Sequence, residues 1–285
     1  MPTGVPVALV IGFIAGVLVN LIADYLPARR HRWLASTNPF VSQSVIPPKP
    51  TFLPRREDGS LYPPYLWSGV ISALLQVPVF KQYRVRHIVT EISLALGVAA
   101  IVWIFADVHN MPFLPFYGAV FVLIAIIDIE HRWVFLEIIV PTALVALAEP
   151  YYGFRVWNQD SWRGGLYGFG IMLAVYLFGL IFARVVGLVT GKRITRTVFG
   201  FGDVYIGTLG GLIIGWNSLG LALLVMVLTG AIASLVLILG KLLRTRRYRL
   251  FSAIPYGPYI LIGMASMLYF PQYVGLIARW LIGWA

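Results

Sequence analysis

What most limits the fold of this chain is a recurring run of apolar residues, in most cases about as long as a bilayer is thick. Crossing a bilayer takes about 20 apolar residues. Inside the hydrocarbon the backbone must satisfy its own hydrogen bonds, so such runs become helices or a closed barrel. Residues 5–26, 88–106, 113–127, 133–147, 166–188, 203–216, 219–239 and 251–270 read as eight such runs. Only 12% of the residues are charged and 59% are hydrophobic, where a soluble domain carries roughly 25% charged residues. The expectation is an all-α, polytopic integral membrane protein with about eight transmembrane helices.

Between the first two runs, residues 38–65 are polar and proline-rich and read as an ordered or extended loop. Residues 67–80 are apolar but short, which favours an interfacial or re-entrant helix over a span. The expected division is residues 1–87, the first span with its cytoplasmic loop region, and residues 88–285, the transmembrane domain. The stretch beyond Pro271 is an amphipathic tail. The first run lacks the positive flank of a cleaved signal and is long enough to remain as a span.

Loop charge fixes an orientation. Of 22 Lys and Arg, all but Arg155, Arg163 and Arg279 fall on one side of the alternating spans. That side is expected to be cytoplasmic, in a cell (plasma or inner) membrane, with both termini outside. A net charge of +11 then reports cytoplasmic loops and anionic lipid as partner. The sequence has no basic–aromatic platform for nucleic acid. With no cysteine, disulfides, thiol nucleophiles and cysteine zinc sites are excluded.

Two acids stand out against this background. Asp128 ends the third span and Asp203 opens the sixth, within Phe199-Gly200-Phe201-Gly202-Asp203-Val204-Tyr205-Ile206-Gly207. A carboxylate in a membrane segment costs on the order of 3 kcal/mol on insertion scales. The orientation puts both acids at one depth, near the inner face. Two acids there can form a pair, one taking a proton from water and the other polarising a carbonyl, which is peptide hydrolysis without metal, serine or cysteine. The competing reading is a pair of interfacial acids matched to Arg132 and Arg196. Helix dipoles make Asp203, at a helix N-terminus, the expected ionised partner, and Asp128, at a C-terminus, the protonated one.

These residues carry a resemblance. Gly200-x-Gly202-Asp203 resembles the Gly-x-Gly-Asp signature of the prepilin peptidases, membrane aspartic proteases that process type IV prepilins. Ile127-Asp128-Ile129-Glu130-His131-Arg132 is similar to that family's first-aspartate segment. Residues 20–27, Arg86 through Glu91, and Ile254-Pro255-Tyr256-Gly257-Pro258 resemble further family elements in family order. The resemblance implies cleavage of a short basic leader on type IV prepilins or the pseudopilins of type II secretion, with Asp128 and Asp203 catalytic. It also implies methylation of the new N-terminus from S-adenosylmethionine, with residues 1–87 a degenerate methyltransferase-like region and residues 88–285 the peptidase. The bifunctional members' zinc-binding cysteine pairs are missing, so no zinc is expected and the methyltransferase activity stays open. The family's Leu-Pro-Asp after the first aspartate is Phe135-Leu136-Glu137 here or is missing.

The remaining residues divide between roles. Glu91 is expected to pair with Arg84 or Arg86, or to contact substrate or methyl donor. Glu130 either tunes the acid pair or bridges to Arg132. Glu137, two turns into a span, contacts substrate or a neighbouring helix. His131 reads as interfacial, and Asp24 as a cap of the first span against Arg29. Gly200 and Gly202 support the second aspartate, and Pro255, Gly257 and Pro258 flank the site, the prolines kinking the eighth helix. The alternative function is a proton-coupled transporter using the same acids as a relay. A further one is a non-catalytic assembly factor.

Overall fold

The computed structural model describes residues 4–38, 50–56, 58–80, 83–105, 112–149, 161–190, 200–245 and 256–282. Ten helices are present among them: α1 (Val5–Thr37), α2 (Gly69–Leu74), α3 (Arg84–Ile104), α4 (Phe113–His131), α5 (Leu136–Ala148), α6 (Ser161–Thr190), α7 (Phe201–Ile214), α8 (Trp216–Thr245), α9 (Gly257–Tyr269) and α10 (Pro271–Ile282). The fold is all-α. Five helices, α1, α3, α4, α6 and α8, contain stretches long and apolar enough to cross a membrane. The pair α9 and α10 would make a sixth if read as one broken span. The shorter α5 and α7 are apolar but extend only about 20 Å at 1.5 Å per residue. The expected eight spans are therefore five or six by length.

The chain forms two compact units, Met1–Ile127 and Asp128–Ala285, dividing later than residue 87. In the first unit α1 packs along α3. Close approach is possible because small residues line the seam: a Cβ on Gly12 would lie 2.8 Å from Ala95 Cα, and one on Gly16 2.6 Å from Glu91 Cα. Ala8, Val98 and Ala99 form a buried cluster with Val5 and Val102 against it. Helix α1 does not end with the first apolar run; it continues through Pro27 and carries Arg29, Arg30 and Arg32. At roughly 50 Å it is longer than the hydrocarbon is thick, so its basic end has room to leave the bilayer. Residues 67–80 are not one helix. A 3-10 turn (Pro64–Trp67) leads into the six-residue α2, which packs on α3.

In the second unit α7 is the core. Ten of its fourteen residues are buried, and a helix apolar all round is one surrounded by protein. It packs against α5, α6, α8 and α9. A Cβ on Gly211 would lie 2.7 Å from the carbonyl carbon of Gly164, which brings α6 and α7 to backbone contact. Gly215, at φ 76, ends α7 in the left-handed region and turns the chain into α8. Helices α6 and α8 keep most of their apolar surface exposed, as lipid-facing helices do.

Candidate active site

Both candidate acids belong to the second unit, and both are buried: Asp128 is 6% exposed and Asp203 7%. Asp128 occupies the last turn of α4. The helix stops because Arg132 enters the left-handed region at φ 56, its N–H donating to the Asp128 carbonyl at 2.9 Å. Asp203 sits in the first turn of α7 and folds back on it, with Oδ2 accepting the Gly200 N–H at 2.9 Å while its own N–H donates to the Gly200 carbonyl at 3.1 Å. This reciprocal pair fixes the acid at the helix mouth.

Gly202 explains how the chain after Asp128 reaches that mouth. A Cβ there would lie 2.7 Å from Cγ2 of Val134, so the α4–α5 connection rests on the first turn of α7 only because the position is glycine. Gly257, the first residue of α9, lies against the Asp128 carboxyl. A Cβ on it would be 2.8 Å from Asp128 Cγ and 3.2 Å from Ile206 Cδ1. The end of α4, the start of α9 and the first turns of α7 thus meet around one carboxyl group. Ile206, one turn after Asp203 on α7, lies beside the same Gly257, and Arg132 follows Asp128 by one turn. Oδ2 of Asp128 is buried with no hydrogen-bond partner among the described residues.

This geometry revises the dipole expectation. Asp128 lies at the C-terminus of its own helix, but it also faces the N-terminus of α9, whose partial positive charge offsets the first effect. Helix ends alone therefore do not decide which of the two acids is the more readily ionised.

The other candidates fall in different places. Glu130 lies next to His131, Oε2 to Nε2 3.9 Å, and His131 stacks with Trp133. Glu137 is exposed in the first turn of α5, not two turns inside a span, because α5 begins only at Leu136. Pro258 occupies the first turn of α9 and does not kink it; the missing N–H costs nothing there. Pro255 and Arg196 lie outside the described residues.

Glu91 belongs to the first unit and is fully buried. It does not pair with Arg84 or Arg86. It accepts Ser68 Oγ–H at 2.6 Å, the Gly69 N–H at 2.7 Å and the Val70 N–H at 3.1 Å, which ties the start of α2 to α3. A carboxylate so enclosed and saturated does not fit a contact to substrate or methyl donor. One turn away, Asp24 of α1 accepts from Arg86 and lies 3.0 Å from His87 Nε2, and not against Arg29 as expected. Asn20 donates to the His87 carbonyl at 3.1 Å. The sequence reading gave His87 no role. Its signal was spacing: Asn20 and Asp24 are one turn apart on α1, as are His87 and Glu91 on α3.

Among the described residues no group of three or more His, Asp or Glu is gathered as a metal site. No family model matches the chain, and no solved structure matches it. A curated protein does: the chain is 29% identical over 184 residues to the prepilin leader peptidase/N-methyltransferase of Pseudomonas putida. The match takes in 64% of this chain and 58% of the relative's length. It supports the prepilin-peptidase resemblance independently of the acids' geometry.

Proposed function

We propose that the chain is a membrane aspartic endopeptidase that removes the N-terminal leader of type IV prepilins or pseudopilins at the cytoplasmic face. The observation that carries this reading is that Asp128, at the end of α4, and Asp203, in the first turn of α7, are both buried, with Gly257 of α9 lying against the Asp128 carboxyl and beside Ile206, one turn after Asp203. The acids share one proton. The ionised carboxylate takes a proton from a water molecule, and that water attacks the scissile carbonyl. The protonated carboxyl donates to the carbonyl oxygen as negative charge builds there. The pair titrates as a unit, so acid and base exchange roles between attack and collapse.

Each half of the pair has support. The Gly200 N–H on Asp203 stabilises the charged form of that acid. Oδ2 of Asp128, buried and without a hydrogen-bond partner among the described residues, has hydrogen-bonding capacity to spare. The positive-inside pattern supports a cytoplasmic site. The relative is named for N-methylation as well. That second activity would use S-adenosylmethionine as methyl donor, and a donor-binding measurement on the purified protein would read it.

The test is incubation of the purified, reconstituted protein with a prepilin carrying its leader. Cleavage by the parent chain, lost in both Asp128→Asn and Asp203→Asn while the variants stay folded, supports the reading. Cleavage surviving in either variant removes it. Proton flux without cleavage would favour a transporter instead.

A further inference from the structure

Helix α10 leaves α9 at 106°. The break has a local cause: Phe270 sits at φ −133, ψ 41, and Pro271 after it disfavours a helical conformation at that residue. Once turned, α10 packs against α8 and α9, and its Val274 and Gly275 are half-buried. On its outer side, Tyr273, Leu276, Ile277 and Trp280 are 66%, 61%, 59% and 83% exposed. They recur at i, i+3, i+4 and i+7, which puts them on one face. Gln272 and Arg279 are also exposed. Being seven residues apart they share a second face, between the apolar one and the packed one. The helix therefore has three sectors: one against protein, one polar, one apolar and uncovered.

We infer that α10 lies in the plane of the membrane interface, its apolar face set into the acyl boundary and Gln272 and Arg279 turned to water and headgroups. The occupant of the uncovered face is lipid. A turn of 106° sets α10 nearly at right angles to α9. The helices α10 packs against also carry exposed apolar residues, Ile232, Leu235 and Val236 on α8 and Ile262 on α9. Tyr273 and Trp280 are the residue types that settle at the headgroup level. A sector order of protein, water and lipid is what a helix lying along the flank of a bundle at that level needs. A helix in this position sinks its apolar side about 5–10 Å below the headgroups. It thereby fixes the height of α9, whose other end carries Gly257.

The chain has no cysteine, so one introduced thiol is unique. Single-cysteine variants at Tyr273, Leu276, Ile277 and Trp280, and separately at Gln272 and Arg279, would be spin-labelled in the full-length protein. After reconstitution into phospholipid vesicles, collision with oxygen reports lipid and collision with a water-soluble nickel chelate reports water. The expected result is periodic. Labels at the four apolar positions meet oxygen severalfold more than nickel, at a depth of about 5–10 Å, and labels at 272 and 279 meet nickel more. Four positions on one face give the same reading, so loss of one variant to misfolding leaves the test standing. Labels on the apolar face shielded from both reagents would mean a protein partner, a second copy included. Labels deep at the bilayer centre on every face would mean a broken span, and nickel access at all six positions a helix in water. Each of these three outcomes overturns the inference.

Discussion

Glu91 in the first unit and Asp128 in the second are both buried acids on long apolar helices, and they are held in opposite ways. Glu91 meets three donors from the start of α2. Hydrogen bonds to a charged group contribute about 1.5–3 kcal/mol each, so this acid acts as a fastener. Asp128 has a glycine backbone against it, the first turns of α7 with a second buried acid nearby, and an oxygen with no hydrogen-bond partner among the described residues. An unsatisfied buried polar atom costs about 1–3 kcal/mol. The same residue class serves architecture in one unit and, as we propose, catalysis in the other.

The largest effect expected from breaking this contrast is kinetic. Asp128→Asn or Asp203→Asn should lower prepilin cleavage by about 10²–10⁴, the range for losing a positioned acid or base, with little change in unfolding temperature. The two losses should not multiply in the double variant, because the proposed mechanism uses the acids as one group. Thermal unfolding and single-turnover cleavage on the same preparations check both statements. If either variant loses its fold along with its activity, Asp128 and Asp203 are fasteners too and the contrast disappears.

Next in size is the reverse experiment. Glu91→Gln keeps the shape but turns an amide N–H₂ toward the Gly69 or Val70 N–H. It should cost about 1.5–3 kcal/mol, read as a lower unfolding temperature, while the cleavage rate per folded molecule stays near that of the parent. A variant of unchanged stability and reduced turnover would instead make the first unit part of the chemistry.

The contrast between the units also separates what the sequence disclosed from what it did not. The runs that became α3, α4, α6 and α8 were legible because lipid makes length and apolarity sufficient evidence of a helix. The placement of Asp128 at the end of one helix and Asp203 at the start of another was legible for the same reason, since each sits at the end of such a run. The extension of α1 past Pro27 was not. Proline is usually a stop signal, and only tertiary packing of a buried Pro27 shows the helix continuing. The late start of α5 at Leu136 likewise turns on the local bend at Arg132 and not on composition. The partners of Glu91 and Asp24 were hidden because nearest-charge pairing favours neighbours in sequence, such as Arg84 or Arg29. The fold instead offered α2's amides and His87, which are near only in space. Gly257 was visible as part of a motif, but its place against Asp128 depends on three helix ends meeting.

Gly257→Ala tests that meeting directly. The added methyl would lie 2.8 Å from Asp128 Cγ, closer than packed atoms tolerate, so α9 must shift or the carboxyl must swing away. Overpacking of this kind costs about 1–3 kcal/mol. Because the strain falls on Asp128, turnover should drop more than stability does. Equal stability and full activity would show that the start of α9 does not position the acid.

The smallest effect concerns an acid that is neither fastener nor catalyst. Asp58 is exposed and accepts the Ser60 Oγ–H at 2.6 Å and the Ser60 N–H at 2.8 Å. These bonds hold its carboxyl below the usual carboxylate range. A group whose folded value is depressed contributes stability above its unfolded value, near 3.9, and that contribution fades as pH falls through the folded value. The turn around Gly59 should therefore loosen only in acid, read as faster hydrogen exchange at the Ser60 amide below about pH 4. Asp58→Asn should remove that pH dependence and leave prepilin cleavage untouched. Should this exposed acid alter turnover, hydrogen-bond satisfaction would no longer distinguish structural carboxylates from working ones in this protein.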